Sequence, residues 1–180
     1  MNWDWIDLLP ILAFVALAAG LAVVFRRTGS IVAKTREVEG FRSSVRDLAA
    51  RIDASLGGAA HRIDQVRHHE LTPDAIAETL LVASDAVDRY LAEAKALRAP
   101  SSAVDIRDDL VAQLERAGRA LATVEHGTTI MSTIRGGARE LEAQTSIKRG
   151  YLNLLHAREA IAREASRADG MTTRRGDHTM

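Results

Sequence analysis

His61, Asp64 and His68 stand three and four residues apart, a spacing that sets two imidazoles and a carboxylate on one helix face. Such a trio can hold a divalent metal, and His69 and Glu70 follow beside it. The same spacing also describes an ordinary solvated face. Here the trio points away from the apolar stripe Ala59, Ile63 and Val66, so the reading adopted is a polar surface with no metal centre, the trio being the one set worth testing. His126 and His156 have acidic neighbours in Glu125 and Glu159. A bundle di-metal site needs Glu-x-x-His pairs on facing helices, and that pattern occurs nowhere in the chain.

Other chemistry is thinner. With no cysteine, the chain has no thiolate ligand, disulfide or cysteine nucleophile. Gly57-Gly58 and Gly136-Gly137 lack the Lys-Ser/Thr of a phosphate loop, and no serine sits in a Gly-x-Ser-x-Gly turn. Arg175-Gly176-Asp177 is an adhesion-type tripeptide, read as chance in a chain with 21 arginines against 3 lysines. Basic and acidic residues balance at 24 each and alternate along the chain, which argues against a nucleic-acid surface. No catalytic residue, enzyme activity or cofactor is expected.

The elements that must carry these residues are helices. Aromatics are 4% of the chain and prolines number three, so little material favours a sheet. The 180 residues allow one domain, or an anchor plus a small domain. From Leu8 to Phe25 the chain carries no charge for 18 residues, close to the length needed to span about 30 Å of hydrocarbon. A secretory signal would carry its positive charge before the apolar run. Here Asp4 and Asp7 precede it and Arg26 and Arg27 follow, so a retained anchor is preferred to a cleaved signal or a buried core helix. The positive-inside rule then sets the N-terminus outside and the remainder in the cytoplasm. Trp3 and Trp5 suit an interfacial belt, Pro10 falls in the first turns, and Ala16 with Gly20 form a small-xxx-small pair. Residues 1–27 are therefore read as a transmembrane anchor.

Residues 28–168 read as a cytoplasmic bundle. After a hinge at Thr28-Gly29-Ser30, Ile31, Val38, Phe41, Val45, Leu48 and Ile52 occupy a and d positions, β-branched at a, as in parallel two-stranded coils. The stripe serves either as an intermolecular seam or as internal core. It continues through Leu56, Ala59, Ile63 and Val66. Thr72-Pro73-Asp74 starts a second helix with the seam Ile76, Leu80, Ala83, Val87, Tyr90, Ala94 and Leu97. Pro100 ends it, and Ile106 to Met131 and then Leu141 to Ala165 continue the pattern. The spacing predicts helices at about 31–70, 73–98 and 103–168, with breaks possible at 57–58 and 136–137. Short links make neighbours antiparallel. Four i,i+4 pairs are expected: Asp47 with Arg51, Asp85 with Arg89, Glu115 with Arg119 and Glu159 with Arg163. Residues 169–180 carry no stripe and read as a disordered tail.

The fold class is therefore all-α: one N-terminal transmembrane helix, then an antiparallel up-and-down bundle or coiled coil of three to four long helices. An N-out span followed by a helical bundle resembles in outline the bacterial LemA-type proteins. The basic pair followed by Asp-Leu-Ile-Pro-Asn that goes with that family is absent, and no residue role is carried over. The functional expectation is a single-pass membrane-anchored scaffold or protein-interaction module without catalysis. Its partners would be the bilayer and another protein or a second copy. The alternative is a membrane-tethered bundle that binds a metal or small ligand.

Overall fold

A computed structural model describes residues 5–133 and 138–171, with side chains from 35 to 133 and from 139 to 171. Among the described residues every regular element is helical: α1 (Trp5–Arg67), a 3-10 turn (Pro73–Ile76), α2 (Ala77–Ala96), α3 (Val104–Thr133) and α4 (Ala138–Asp169). Among them, no helix is long and apolar enough to cross a membrane. The run Leu8 to Phe25, with Trp5, Pro10, Gly20, Arg26, Arg27 and the seam residue Ile31, lies outside the residues whose side chains are described. So do Gly136-Gly137 and the tripeptide at 175–177.

The four helices pack as an up-and-down bundle in which each touches its chain neighbours and α1 closes onto α4. Direction is set by paired contacts. Asp105 and Asp109, at the start of α3, meet Arg167 at the end of α4, and Gly127, near the end of α3, faces Ala143 and Ile147 near the start of α4. Along α1 and α4, Arg46 meets Asp169, Asp53 meets Arg158, and Arg67 covers the Tyr151 ring. Arg51, Ser55 and Arg62 on α1 meet Glu93, Tyr90 and Thr79 in reverse order on α2. Lys95 and Val87 of α2 lie against Glu115 and Gly118 of α3.

The core follows the heptad stripes closely. Leu48, Ile52, Leu56 and Ile63 of α1, Ile76, Leu110, Leu114 and Leu121, and Ile147, Leu154 and Ile161 of α4 are all buried in one cluster. Burying a leucine or isoleucine contributes about 1.5–3 kcal/mol, so these residues supply most of the cohesion. A second, smaller cluster of Phe41, Val45, Ala103, Ile106 and Ala168 closes the end where α4 finishes.

The closest approach lies between α3 and α4. A Cβ on Gly127 would stand 2.8 Å from Ile147 Cγ1 and 2.9 Å from the Ala143 carbonyl oxygen. A Cβ on Gly150 would stand 2.5 Å from Val124 Cγ2 and 2.8 Å from the Ala120 carbonyl oxygen. Each glycine thus lets the backbone of the other helix into the place of its own missing side chain.

Several expected boundaries move. α1 is one helix of 63 residues that runs unbroken through Thr28-Gly29-Ser30 and through Gly57-Gly58. Two glycines cost about 1 kcal/mol each in a helix, but Leu56, Ala59 and Ala60 around them are buried, and that packing outweighs propensity. Gly57 also makes room for the Arg158 guanidinium, 3.3 Å from where its Cβ would be. The second helix opens as a 3-10 turn, because Thr72 is extended and its side chain does not cap. It ends at Ala96, since Leu97 adopts ψ 127° on the way to Pro100. The expected 103–168 segment is two helices, α3 and α4, with residues 134–137 outside the described ones. Leu141, assigned to the core stripe from its spacing, is 68% exposed. α4 includes Asp169, and Met171, expected in the tail, is half-buried against the Phe41 cluster.

Gly150→Ala should lower stability by about 1–3 kcal/mol, because backbone atoms must give way. Gly40 is helical with nothing within 4 Å of a built Cβ, so Gly40→Ala should raise stability by roughly 0.5–1 kcal/mol. Thermal unfolding of the full chain in detergent, followed by circular dichroism, reads both. Equal effects of the two alanines would remove the glycine contact from the account.

Candidate functional site

The histidine trio lies near the end of α1. His61 is exposed, and the Asp64 carboxylate is taken by Arg67 at 2.5 Å. His68 Nδ1 lies 3.0 Å from the Asp64 carbonyl oxygen and 3.6 Å from its carboxylate. Among the described residues no group of three or more His, Cys, Asp or Glu stands as a metal-ligand set. What the region does instead is stop the helix. His69 has φ 61°, its N–H donates to the Val66 carbonyl, and the Glu70 N–H donates to that of Gln65 at 2.8 Å. This 6→1 and 5→2 pair is a Schellman cap, with histidine in the left-handed position that glycine fills most easily.

Of the expected seam, Phe41, Val45, Leu48 and Ile52 are buried within the chain itself, and Val38 is half-buried. From Phe41 onward the stripe is internal core against α4 and the α2–α3 link, and a second copy could use it only by opening the bundle. The interior offers a ligand little to hold. Thr128 is the single buried polar side chain among the described residues, and its hydroxyl donates to the Glu125 carbonyl in its own helix.

Charged groups bind helix to helix as well as turn to turn. Arg46 pairs with Asp169 at 2.6 Å, and Arg42 donates to the Asp169 carbonyl oxygen at 2.6 Å, so two arginines of α1 cap the end of α4. Arg167 reaches Asp105 at 2.7 Å, Asp109 at 2.9 Å and Glu164 at 2.5 Å. The Arg46 hydrogen bond and charge, with Arg42 behind, hold the Asp169 carboxyl below the ordinary carboxylate range. Of the four expected i,i+4 pairs, Asp47–Arg51 and Glu159–Arg163 form. Glu115 pairs with Lys95 of α2 instead of Arg119, and Asp85 and Arg89 do not pair, because each side chain takes the nearest partner across helices or stays in water.

Three surface features remain. A small pocket at the end of α1 is lined by Val66, Arg67, His69, Met131, Gln144 and Lys148. On α4, Leu141 and Leu152 are exposed, with Lys148 and Arg149 between them. Between α1 and α2 an open groove is floored by Gly58, Ala59, Ala83 and Ala86, and Glu78, Val82 and Arg89 stand along its α2 side. Val82 is 58% exposed and its neighbour Leu81 64%. Sequence reading of the main stripe passed over Glu78, Val82 and Arg89. Their four-and-seven spacing on the flank of that stripe was the available signal.

Replacing His69 by glycine should stabilise the fold by roughly 1 kcal/mol, since it relieves a left-handed residue without touching the cap bonds. A denaturant melt with no gain would show that His69 side-chain contacts matter more than its backbone. The lowered Asp169 carboxyl means that its pairing stabilises the fold above the ordinary carboxylate range, near 4, and that this is lost as pH falls below it. Asp169→Asn should therefore melt lower than the native chain by at most a few degrees at pH 7, and the difference should shrink as the pH is taken below the ordinary carboxylate range. A difference independent of pH would assign the effect to something other than the ion pair.

Compared with known proteins, the chain matches no family model, no curated protein and no solved structure.

Proposed function

We propose that this chain is a single-pass, membrane-anchored helical interaction module without catalytic activity, its N-terminus outside and its bundle in the cytoplasm. The observation that carries this reading is the continuity of α1. The helix bearing the uncharged run from Leu8 to Phe25 is the same helix that forms one wall of the bundle. Phe41 is the first buried residue among those described, so about 16 residues separate the apolar run from the bundle. At about 1.5 Å per residue that is roughly 24 Å of helix, a stalk that would hold the bundle clear of the lipid headgroups. Arg26, Arg27, Lys34 and Arg36 supply the positive charge on the cytoplasmic flank. A core of close-packed aliphatic side chains suits a part that presents surfaces rather than a cavity.

The absence of cysteine makes placement directly testable. Asn2→Cys should react with a membrane-impermeant maleimide in intact cells, and Ala50→Cys, on the exposed side of α1, only after the cells are opened. The native chain should stay in the membrane pellet after alkaline carbonate extraction. Release by carbonate would sink the anchor, and the reverse labelling pattern would sink the orientation.

A further inference from the structure

We propose that the cavity at the C-terminal end of α1 is a binding site for a small organic anion, a monocarboxylate with a compact apolar body. This goes beyond the interaction-module reading and is independent of the anchor, because every lining residue lies between 66 and 148.

The cavity wall is cationic. Arg67 and His69 line it from the end of α1 and its cap, Lys148 lines it from α4, and Gln144 adds an amide one turn before Lys148. Among the described residues no carboxylate lines it, and Glu70, the acid beside His69, is exposed elsewhere. Three other hollows on the bundle surface mix the signs: Glu78 with Arg62, Asp53 with Arg158, and Glu37 with Arg98. In a chain whose acids and bases balance at 24 each, a concave wall charged with one sign only favours an anion.

Asp64 does not cancel that charge. Its carboxylate takes one N–H of Arg67, at Nη1, and the guanidinium lies 4.5 Å from the centre of the Tyr151 ring. These contacts hold the guanidinium in place and leave its Nε and Nη2 without a hydrogen-bond partner among the described residues. A guanidinium fixed in this way can pair a carboxylate through two parallel hydrogen bonds. The side chains of His69, Gln144 and Lys148 make no hydrogen bond or ion pair among the described residues, so their donors are free as well. Imidazole offers an N–H in either protonation state.

The floor decides what kind of anion fits. Val66 and Ile147 are buried there, and Met131 is half-buried beside them. A hydrated inorganic ion would leave this apolar surface in water, whereas a ring or branched chain covers it. The cavity holds about 160 Å³, at the edge of the close-packed core. An apolar cavity of about 150 Å³ accommodates benzene, so the body has about six carbons.

The backbone at His69 points the same way. Its φ of 61° is what the cap requires, and glycine meets that requirement most easily. The cap needs no imidazole. A polar ring kept in a strained conformation on a cavity wall marks a place where function competes with stability.

The full chain in lipid nanodiscs, with methyl-labelled methionine, tests the site by nuclear magnetic resonance. Met131 borders the cavity and Met171 packs at the other end of the bundle, so one signal reads the site and the other is its control. The probe is benzoate at constant ionic strength; with about nine non-hydrogen atoms its Kd should lie at roughly 0.1–10 mM. Benzoate should shift the Met131 signal saturably and leave Met171 in place. Benzyl alcohol and inorganic phosphate should each bind at least tenfold more weakly. Lys148→Gln and His69→Gly should each weaken benzoate at least fivefold, while Arg149→Gln, the next residue of α4 but off the cavity wall, should change it less than twofold. Because His69→Gly should be the more stable chain, weaker binding in it cannot come from unfolding. An unmoved Met131 signal, phosphate or benzyl alcohol binding as well as benzoate, or equal effects of the Lys148 and Arg149 substitutions would each overturn the proposal.

Discussion

The backbone contact between α3 and α4 is the constraint on which the rest of the bundle depends. Gly127 and Gly150 lie on opposite helices, and each admits the other's main chain at a distance no side chain would allow. Because the two contacts are reciprocal, the pair cannot slide by a turn without driving a side chain into a carbonyl. That fixes the register of the whole hairpin. At the far end the same register brings Arg167 within reach of both Asp105 and Asp109. α1 and α2 then pack on an already defined surface, their leucines and isoleucines filling the space left between the hairpin and themselves.

α1 accepts two local penalties for a global return. Adjacent glycines in mid-helix and a left-handed histidine at its end both weaken it as an isolated helix. The buried row from Val45 to Val66 compensates, since every turn contributes a buried aliphatic side chain. The consequence for function is that the proximal heptads are spent inside the chain. A stripe that reads equally well as a dimer seam is occupied, from Phe41 onward, by α4 and the α2–α3 link.

The ionic contacts follow the same division. Cross-helix pairs gather along α4 and at its end, where Arg42, Arg46 and Arg167 bind the last turn to α1 and α3. Exposed pairs of this kind contribute little to stability, being screened by solvent, but they specify which helix lies beside which. The α1–α2 side is held in the same way by Arg51 with Glu93 and by Arg62 with Thr79, and between these contacts lies a shallow groove floored by Gly58, Ala59, Ala83 and Ala86.

The sequence by itself determined that the chain is helical, which stripe of each helix is apolar, and where the chain turns at Thr72-Pro73 and Pro100. These follow from 3.6-residue periodicity and from proline, both of which act within a few residues. The uncharged run and its flanking arginines were equally legible, because bilayer thickness and charge asymmetry act on the chain locally. Tertiary structure alone decided what those stripes face. Spacing places Leu141 and Ile147 in one stripe, yet one is exposed and the other buried, because only the α3 register says where contact begins. Spacing makes Gly57-Gly58 a candidate break and does not say what Gly127 faces. Packing makes the first a continuous helix under Arg158 and the second the point of closest approach. Asp85 and Arg89 have the spacing of a pair and stay apart, and Glu115 leaves Arg119 for a lysine of another helix. Periodicity tells a helix which side to bury; the partner's shape and charge, which are distant in sequence, tell it against what.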